Sequence, residues 1–236
     1  GIDATTPRRK ITSVGVIGAG TMGGGIAMNF ASVGLPVRII ETTQAALDRG
    51  LSLVRSNYQR SADRGRFPQD EVNARMVRID GHLSLEALAD CDLVIEAVFE
   101  DMELKKSIFT ELDRVVKPGA ILATNTSALD IDAIAAQTDR PQEVTGHHFL
   151  SPANALTLPE HLRAAETGDD VVATCMALAH TIKKIATLVG VFPVFVGNRI
   201  LLRDKFKPTS SCMKASCLGT WTLHSMPLGT KWGPFK

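Results

Sequence analysis

The sequence predicts a doubly wound α/β fold: a mostly parallel sheet with helices on both faces, followed by a short, atypical C-terminal segment. Three observations carry this. Short apolar runs alternate with helical patterns from residue 11 to residue 148. Several of those runs are apolar at successive positions, as strands covered on both faces should be. The first run also leads straight into a glycine-rich turn and then a helix. Strand, helix, strand in repetition calls for right-handed crossovers and a parallel sheet.

Taken in order, the expected strands are "ITSVGVI" (11–17), "PVRIIE" (36–41), "MVRI" (76–79), "DLVIEAV" (92–98), "AILATN" (120–125) and "EVTGHHF" (143–149). Helical spacing falls between them at 21–33, 43–64, 102–116 and 129–137. The third of these helices stops at Lys117-Pro118-Gly119, an ordinary termination signal. A long helix is expected over 169–188, with Asp169 and Asp170 at its start and Lys183 and Lys184 near its end, signs that suit the helix dipole. An apolar run, "TLVGVFPVFVGNRILL" (187–202), comes next. Beyond it the character changes: residues 203–236 hold both tryptophans, a single acid (Asp204) and no convincing period. The chain is thus divided into a linker or trimmed N-terminus (1–10), a nucleotide-binding domain (11–200) and a short tail (201–236).

Composition excludes several function classes. Lys plus Arg (26) nearly cancels Asp plus Glu (25), so no global field draws the protein to nucleic acid or acidic membrane. The tail with Trp221 and Trp232 lacks the pattern and length of a nucleic-acid module. No apolar run reaches the length of a membrane span, and no signal peptide is visible. Cys91, Cys175, Cys212 and Cys217 form no C-x-x-C pair, and their spacing shows no Cys/His metal cluster, so free thiols in a reducing, intracellular setting are expected. Peroxisome, mitochondrial matrix and cytoplasm are not distinguished; "PFK" at the C-terminus is not a peroxisomal S-K-L signal.

In "VGVIGAGTMGGGIAMNF", Gly18, Gly20 and Gly23 fit G-x-G-x-x-G. The first glycine permits the tight turn, the second lets backbone approach a pyrophosphate, and the third lets helix and strand pack closely. The helix start at Thr21 and Met22 offers oriented N–H donors. Glu41 ends the second strand, 23 residues beyond Gly18. A carboxylate there accepts hydrogen bonds from an adenosine ribose and repels a 2′-phosphate, which favours NAD over NADP in a Rossmann-type domain.

Four further stretches, "VIEAVFEDMELKK" (94–106), "NTSAL" (125–129), "GHHFLSP" (146–152) and "VGNRIL" (196–201), occur in an order and spacing that resemble the L-3-hydroxyacyl-CoA dehydrogenases. The wording is most similar to the dehydrogenase part of multifunctional fatty-acid oxidation enzymes. The resemblance covers roughly residues 11 to 200. It implies NAD-dependent oxidation of (3S)-3-hydroxyacyl-CoA to 3-oxoacyl-CoA, with His148 as general acid/base and Glu160, twelve residues on, orienting it. His147 stands where the family carries other residues and is expected to be packed or at the surface; adjacent strand residues face opposite ways, so only one imidazole can enter the site. An imidazole suits the step because it can take and return a proton near neutral pH. By the same resemblance Ser127 and Asn198 position the substrate's oxygen, and Glu100 and Lys105 approach the cofactor and the CoA end. On residue type alone, Ser127 and Asn198 could equally be helix caps.

Departures from the family pattern are Ser151, Pro159 directly before Glu160, and Val194 where the family tends to have glycine. Proline removes a backbone donor and could displace the carboxylate. The family continues past "GNR" with a helical domain carrying its dimer contacts and one wall of the acyl-CoA site; the tail here echoes it only in "GTKWGPFK". NAD binding is therefore expected ahead of efficient turnover. The alternative is a non-catalytic NAD(H)-binding protein of the same fold with a structural or regulatory role.

Overall fold

The computed structural model describes residues 3, 5–191 and 195–199. Val194, Ile200 and the tail 201–236 lie outside the described residues. Strands β1 (Val14–Ile17), β2 (Val37–Ile40), β3 (Ile79–His82), β4 (Leu93–Glu96), β5 (Ile121–Thr124), β6 (Val144–His148), β7 (Glu160–Arg163) and β8 (Thr187–Gly190) form one sheet in the order β3-β2-β1-β4-β5-β6-β7-β8. Every neighbouring pair is parallel except β6 with β7, which is antiparallel. Six helices connect them: α1 (Thr21–Ser32), α2 (Gln44–Asp63), α3 (Asp70–Met76), α4 (Met102–Val115), α5 (Ile131–Ala135) and α6 (Asp169–Thr181).

The two faces of the sheet explain the unbroken apolar runs. Leu93 and Ile95 pack with α1, α2, α3 and α6 through Ile26, Phe30, Val54, Val72 and Cys175. Val94, between them, packs on the other side with Phe109 and Leu112 of α4 and Ile131 and Ile134 of α5. With side chains alternating across the pleat, a strand covered on both faces must be apolar at every position. Each buried Phe or Leu contributes about 1.5–3 kcal/mol relative to exposure. Helix starts are set by short polar side chains: Thr43 accepts from Ala46 N, Asp101 from Leu104 N and Asp130 from Asp132 N. Among the described residues no helix is long and apolar enough to cross a membrane.

The structure differs from the sequence expectation at several elements. Met76 closes α3, a helix with no counterpart among the expected elements, and the strand expected from Met76 begins only at Ile79. The helix expected over 129–137 is confined to Ile131–Ala135. The one expected over 169–188 ends at Thr181, because Lys183 takes a left-handed conformation (φ 59°) and Lys184 turns inward to donate to Ala153 O and Leu156 O at 2.9 and 2.5 Å. Burial of that ammonium pulls its pKa down. Residues 187–190 are thereby released to form β8 beside β7. β7, finally, has no periodic apolar pattern to announce it. "EHLR" becomes a strand because its polar side chains find partners on β6.

Candidate functional site

Parallel strands deliver their carboxyl ends to one edge of the sheet. The strand order reverses between β1 and β4, and at such a switch point the loops part and leave a crevice. On one side of it lies the glycine loop. Gly18 takes a positive φ of 98°, and a Cβ there would stand 2.8 Å from Ala97 O at the end of β4. A Cβ on Gly23 would meet Gly18 O at 1.8 Å, so the helix starts in direct contact with the turn. A Cβ on Gly20, by contrast, would meet nothing within 4 Å. α1 begins at Thr21 with no side-chain cap and no acid in its first turn, unlike α4 and α5. Its first amides are thus left without a side-chain acceptor at the positive end of the helix.

Glu41 comes directly after β2 and folds onto this loop: Oε1 accepts from Ala19 N at 2.8 Å and Oε2 from Thr42 N at 3.1 Å. The loop and a carboxylate at the second strand end are therefore joined. An uncapped helix start, an open position at Gly20 and an acid beside it fit a dinucleotide's pyrophosphate and ribose.

On the other side of the crevice the antiparallel register of β6 and β7 pairs His148 with Glu160. His148 Nδ1 lies 2.8 Å from Glu160 Oε2, and both residues are buried. Pro159 has not displaced the carboxylate. It precedes the strand's first residue and gives up only a donor, while its own carbonyl still accepts from Thr187 N. Glu160 Oε1 accepts from Gly197 N at 2.8 Å, and Phe195 packs against the imidazole at 5.5 Å between ring centroids. Among the described residues nothing hydrogen-bonds His148 Nε2. His147 points to the opposite face and is buried there, so it is packed rather than at the surface.

The remaining expected residues form a chain of hydrogen bonds leading from this pair. Asn198, in a helical turn at 196–199, donates from Nδ2 to Ser127 O at 3.2 Å. Ser127 donates from N and Oγ to Glu100 Oε1 at 2.7 and 3.0 Å, and Thr126 Oγ1 donates to the same oxygen at 2.6 Å. Burial would raise the pKa of Glu100, but the bonds from Thr126 and Ser127 and the Lys105 charge outweigh it and lower it. Lys105 Nζ sits 3.7 Å from Glu100 Oε2 and 2.6 Å from Glu96 Oε1.

Lys105 is the expected site residue that the structure redirects. Its side chain has no exposed surface, so its ammonium reaches the crevice only through Glu100. The reason is Glu96, a residue to which the sequence assigns no role beyond membership of an apolar strand. That carboxylate is fully buried at the end of β4, accepts from Val98 N and Thr124 Oγ1, and needs a cation. The lone acid in "VIEAV" is the signal that points to it.

The 3-hydroxyacyl-CoA dehydrogenase NAD-binding domain matches residues 13–191. The chain belongs to this family. It is 45% identical over 207 residues to a peroxisomal bifunctional enzyme of Cavia porcellus, spanning 87% of this chain and 28% of that protein. A probable 3-hydroxybutyryl-CoA dehydrogenase of Bacillus subtilis is 40% identical, over 82% of this chain and 67% of that protein. The solved (S)-3-hydroxybutyryl-CoA dehydrogenase PaaH1 from Ralstonia eutropha superposes with a TM-score of 0.80 at 36% identity, over 81% of this chain and 68% of its own. The chain thus spans little more than a quarter of the bifunctional enzymes and about two thirds of the shorter dehydrogenases. NAD is the cofactor named for this dehydrogenase domain. In this member, the glycine loop and Glu41 lie on one side of the crevice and the His148–Glu160 pair on the other.

Proposed function

We propose that the chain is an NAD-dependent (3S)-3-hydroxyacyl-CoA dehydrogenase domain of fatty-acid β-oxidation. The observation that carries this is the buried His148 Nδ1–Glu160 Oε2 contact of 2.8 Å, joined through Gly197 and Asn198 to Ser127. When bound, NAD would supply the hydride acceptor; Gly20, Thr21 and Met22 are the residues that would hold its pyrophosphate and Glu41 the one that would hold its adenosine ribose.

The protein's own residues handle the proton. Glu160 accepts the Nδ1–H of His148, which leaves Nε2 as the acceptor facing outward. His148 Nε2 removes the proton from the substrate's 3-hydroxyl as C3 loses hydride, and the adjacent carboxylate stabilises the imidazolium that forms. The Ser127 hydroxyl, which donates to Glu100 in the free protein, turns its proton to the substrate's oxygen, while Thr126 Oγ1 and the Ser127 backbone N–H continue to donate to Glu100. Asn198 holds the Ser127 backbone in place. Phe195 keeps water from the far side of the imidazole.

The test is to mix the purified chain with NADH and acetoacetyl-CoA and follow the loss of nicotinamide absorbance beside His148→Gln. Oxidation that disappears in the variant supports the reading. NADH binding with no oxidation in the parent chain would leave a dinucleotide-binding protein without the chemistry.

A further inference from the structure

The register that pairs His148 with Glu160 pairs His147 with His161 on the opposite face of the same two strands. Their rings stand 4.8 Å apart between centroids at an interplanar angle of 71°. Cys175 reaches them from α6, and the three residues are 8%, 3% and 2% exposed. One ligand-capable atom from each lies within 4.8 Å of the other two. His147 Nε2 and His161 Nδ1 are both shut off from solvent with no hydrogen-bond partner among the described residues. A buried ring nitrogen without a partner has lost its water for nothing in return, which packing alone does not require. A cavity of about 20 Å³ borders all three and is otherwise lined by apolar side chains such as Phe30, Phe149 and Leu178. That is room for one water-sized occupant. Glu160 borders it too, but its carboxylate is engaged on the other face by His148 and Gly197.

We propose that His147, His161 and Cys175 form a buried site for a thiophilic d10 metal ion, Zn²⁺ or Cu⁺, distinct from the dinucleotide crevice. Two neutral imidazoles and one thiolate are a soft-to-borderline donor set that selects such ions over Mg²⁺ or Ca²⁺. Burial already keeps both imidazoles neutral, holding His147 down to about 4 and His161 lower than usual, so no proton competes there at neutral pH. The thiol, pushed up to about 12 by burial, loses its proton to solvent as the metal–sulfur bond forms. Bond lengths of about 2.0–2.1 Å to nitrogen and 2.3 Å to sulfur separate tetrahedral donors by roughly 3.3–3.6 Å. Rotation of the side chains into the cavity covers the difference. Cu⁺ with one thiolate and two imidazoles is neutral and suits a dry three-donor pocket; Zn²⁺ takes a fourth donor, and the cavity has room for one water. Cysteine spacing could not show this cluster, because its members come from β6, β7 and α6. A bound ion would tie those elements together directly behind the strand positions that carry His148 and Glu160.

The experiment uses the full chain carrying Cys212→Ala and Cys217→Ala, reduced and stripped with chelator. It is titrated with Co²⁺ as a spectroscopic stand-in for Zn²⁺ and, separately, with Cu⁺ against a chromophoric chelator. One equivalent of either ion is expected to bind, with Co²⁺ giving a thiolate-to-metal charge-transfer band. That band should vanish in Cys175→Ser and in His161→Val and persist in Cys91→Ala, while NADH binding in each variant shows that it has folded. Binding of Cu⁺ alone or Co²⁺ alone assigns the ion within the class. Absence of stoichiometric binding by either ion, or a band that survives Cys175→Ser, overturns the proposal. If the variants do not fold, Zn²⁺ raising the Tm of the stripped chain, reversed by EDTA and accompanied by loss of one titratable thiol, decides it in the same sense, and no such shift refutes it.

Discussion

Replacing Glu160 by Gln changes a single atom of the dyad from oxygen to nitrogen, and the hydrogen bonds around the carboxylate dictate the consequence. Glu160 Oε1 accepts from Gly197 N and Oε2 faces His148 Nδ1. In Glu160→Gln the backbone donor at Gly197 selects the amide oxygen, which turns the NH₂ toward His148. Nδ1 must then accept, so the ring's proton moves to Nε2, the nitrogen proposed to take the substrate's proton. The imidazolium also loses its partner. Opposite charges about 4 Å apart at an effective dielectric near 20 attract by about 4 kcal/mol. At about 1.36 kcal/mol per factor of ten, kcat for hydroxyacyl-CoA oxidation should fall by roughly three orders of magnitude. KM for NAD should change little, because the glycine loop is untouched. The assay is NADH formation over pH 6 to 10, and the pH profile of the residual activity should shift as well. Full kcat with an unshifted profile would refute the orientation argument.

Gly20→Val and Gly23→Ala separate binding from folding at the loop. A Cβ at Gly20 meets nothing within 4 Å, so Tm should hold while NADH affinity drops by at least about tenfold; one at Gly23 collides with Gly18 O and should cost about 1–3 kcal/mol or more in urea unfolding. Equal effects from both would contradict the geometry. Lys105→Met strands the buried Glu96 carboxylate and should cost about 3–5 kcal/mol, much of it recovered by adding Glu96→Gln; a single variant as stable as the parent would mean that no buried charge is being compensated. Acid should also weaken the chelated protein. His147 is held neutral down to about 4, so between there and about 6.5 the unfolded chain binds the extra proton and stability rises with pH. Going from pH 7 to pH 5 should cost about 2 kcal/mol for this histidine, with His161 adding in the same direction. In His147→Leu that slope should shrink, and an unchanged slope would place the acid sensitivity elsewhere.

Sequence alone determined the parts of this protein that are local. Glycines at 18, 20 and 23 restrict which turn can succeed β1, and unbroken apolar runs admit only strands covered on both faces. The α2 and α4 boundaries fall within a residue or two of the readable caps and stops. The polar positions expected at the crevice came from a family resemblance, and the motifs that carry it are each local to a strand end or helix start. Tertiary structure decided what depends on pairing across the chain. β7 exists because β6 supplies partners for its histidine and glutamate, and a shift of one residue in that register would exchange the two faces, parting His148 from Glu160. Lys105 is interior because a carboxylate nine residues earlier is buried beside it. Cys175 meets His147 and His161 because α6 packs against β7, whose register sets His161 beside His147. Local propensity cannot register any of these, since each depends on which distant residue comes to share a low-dielectric space.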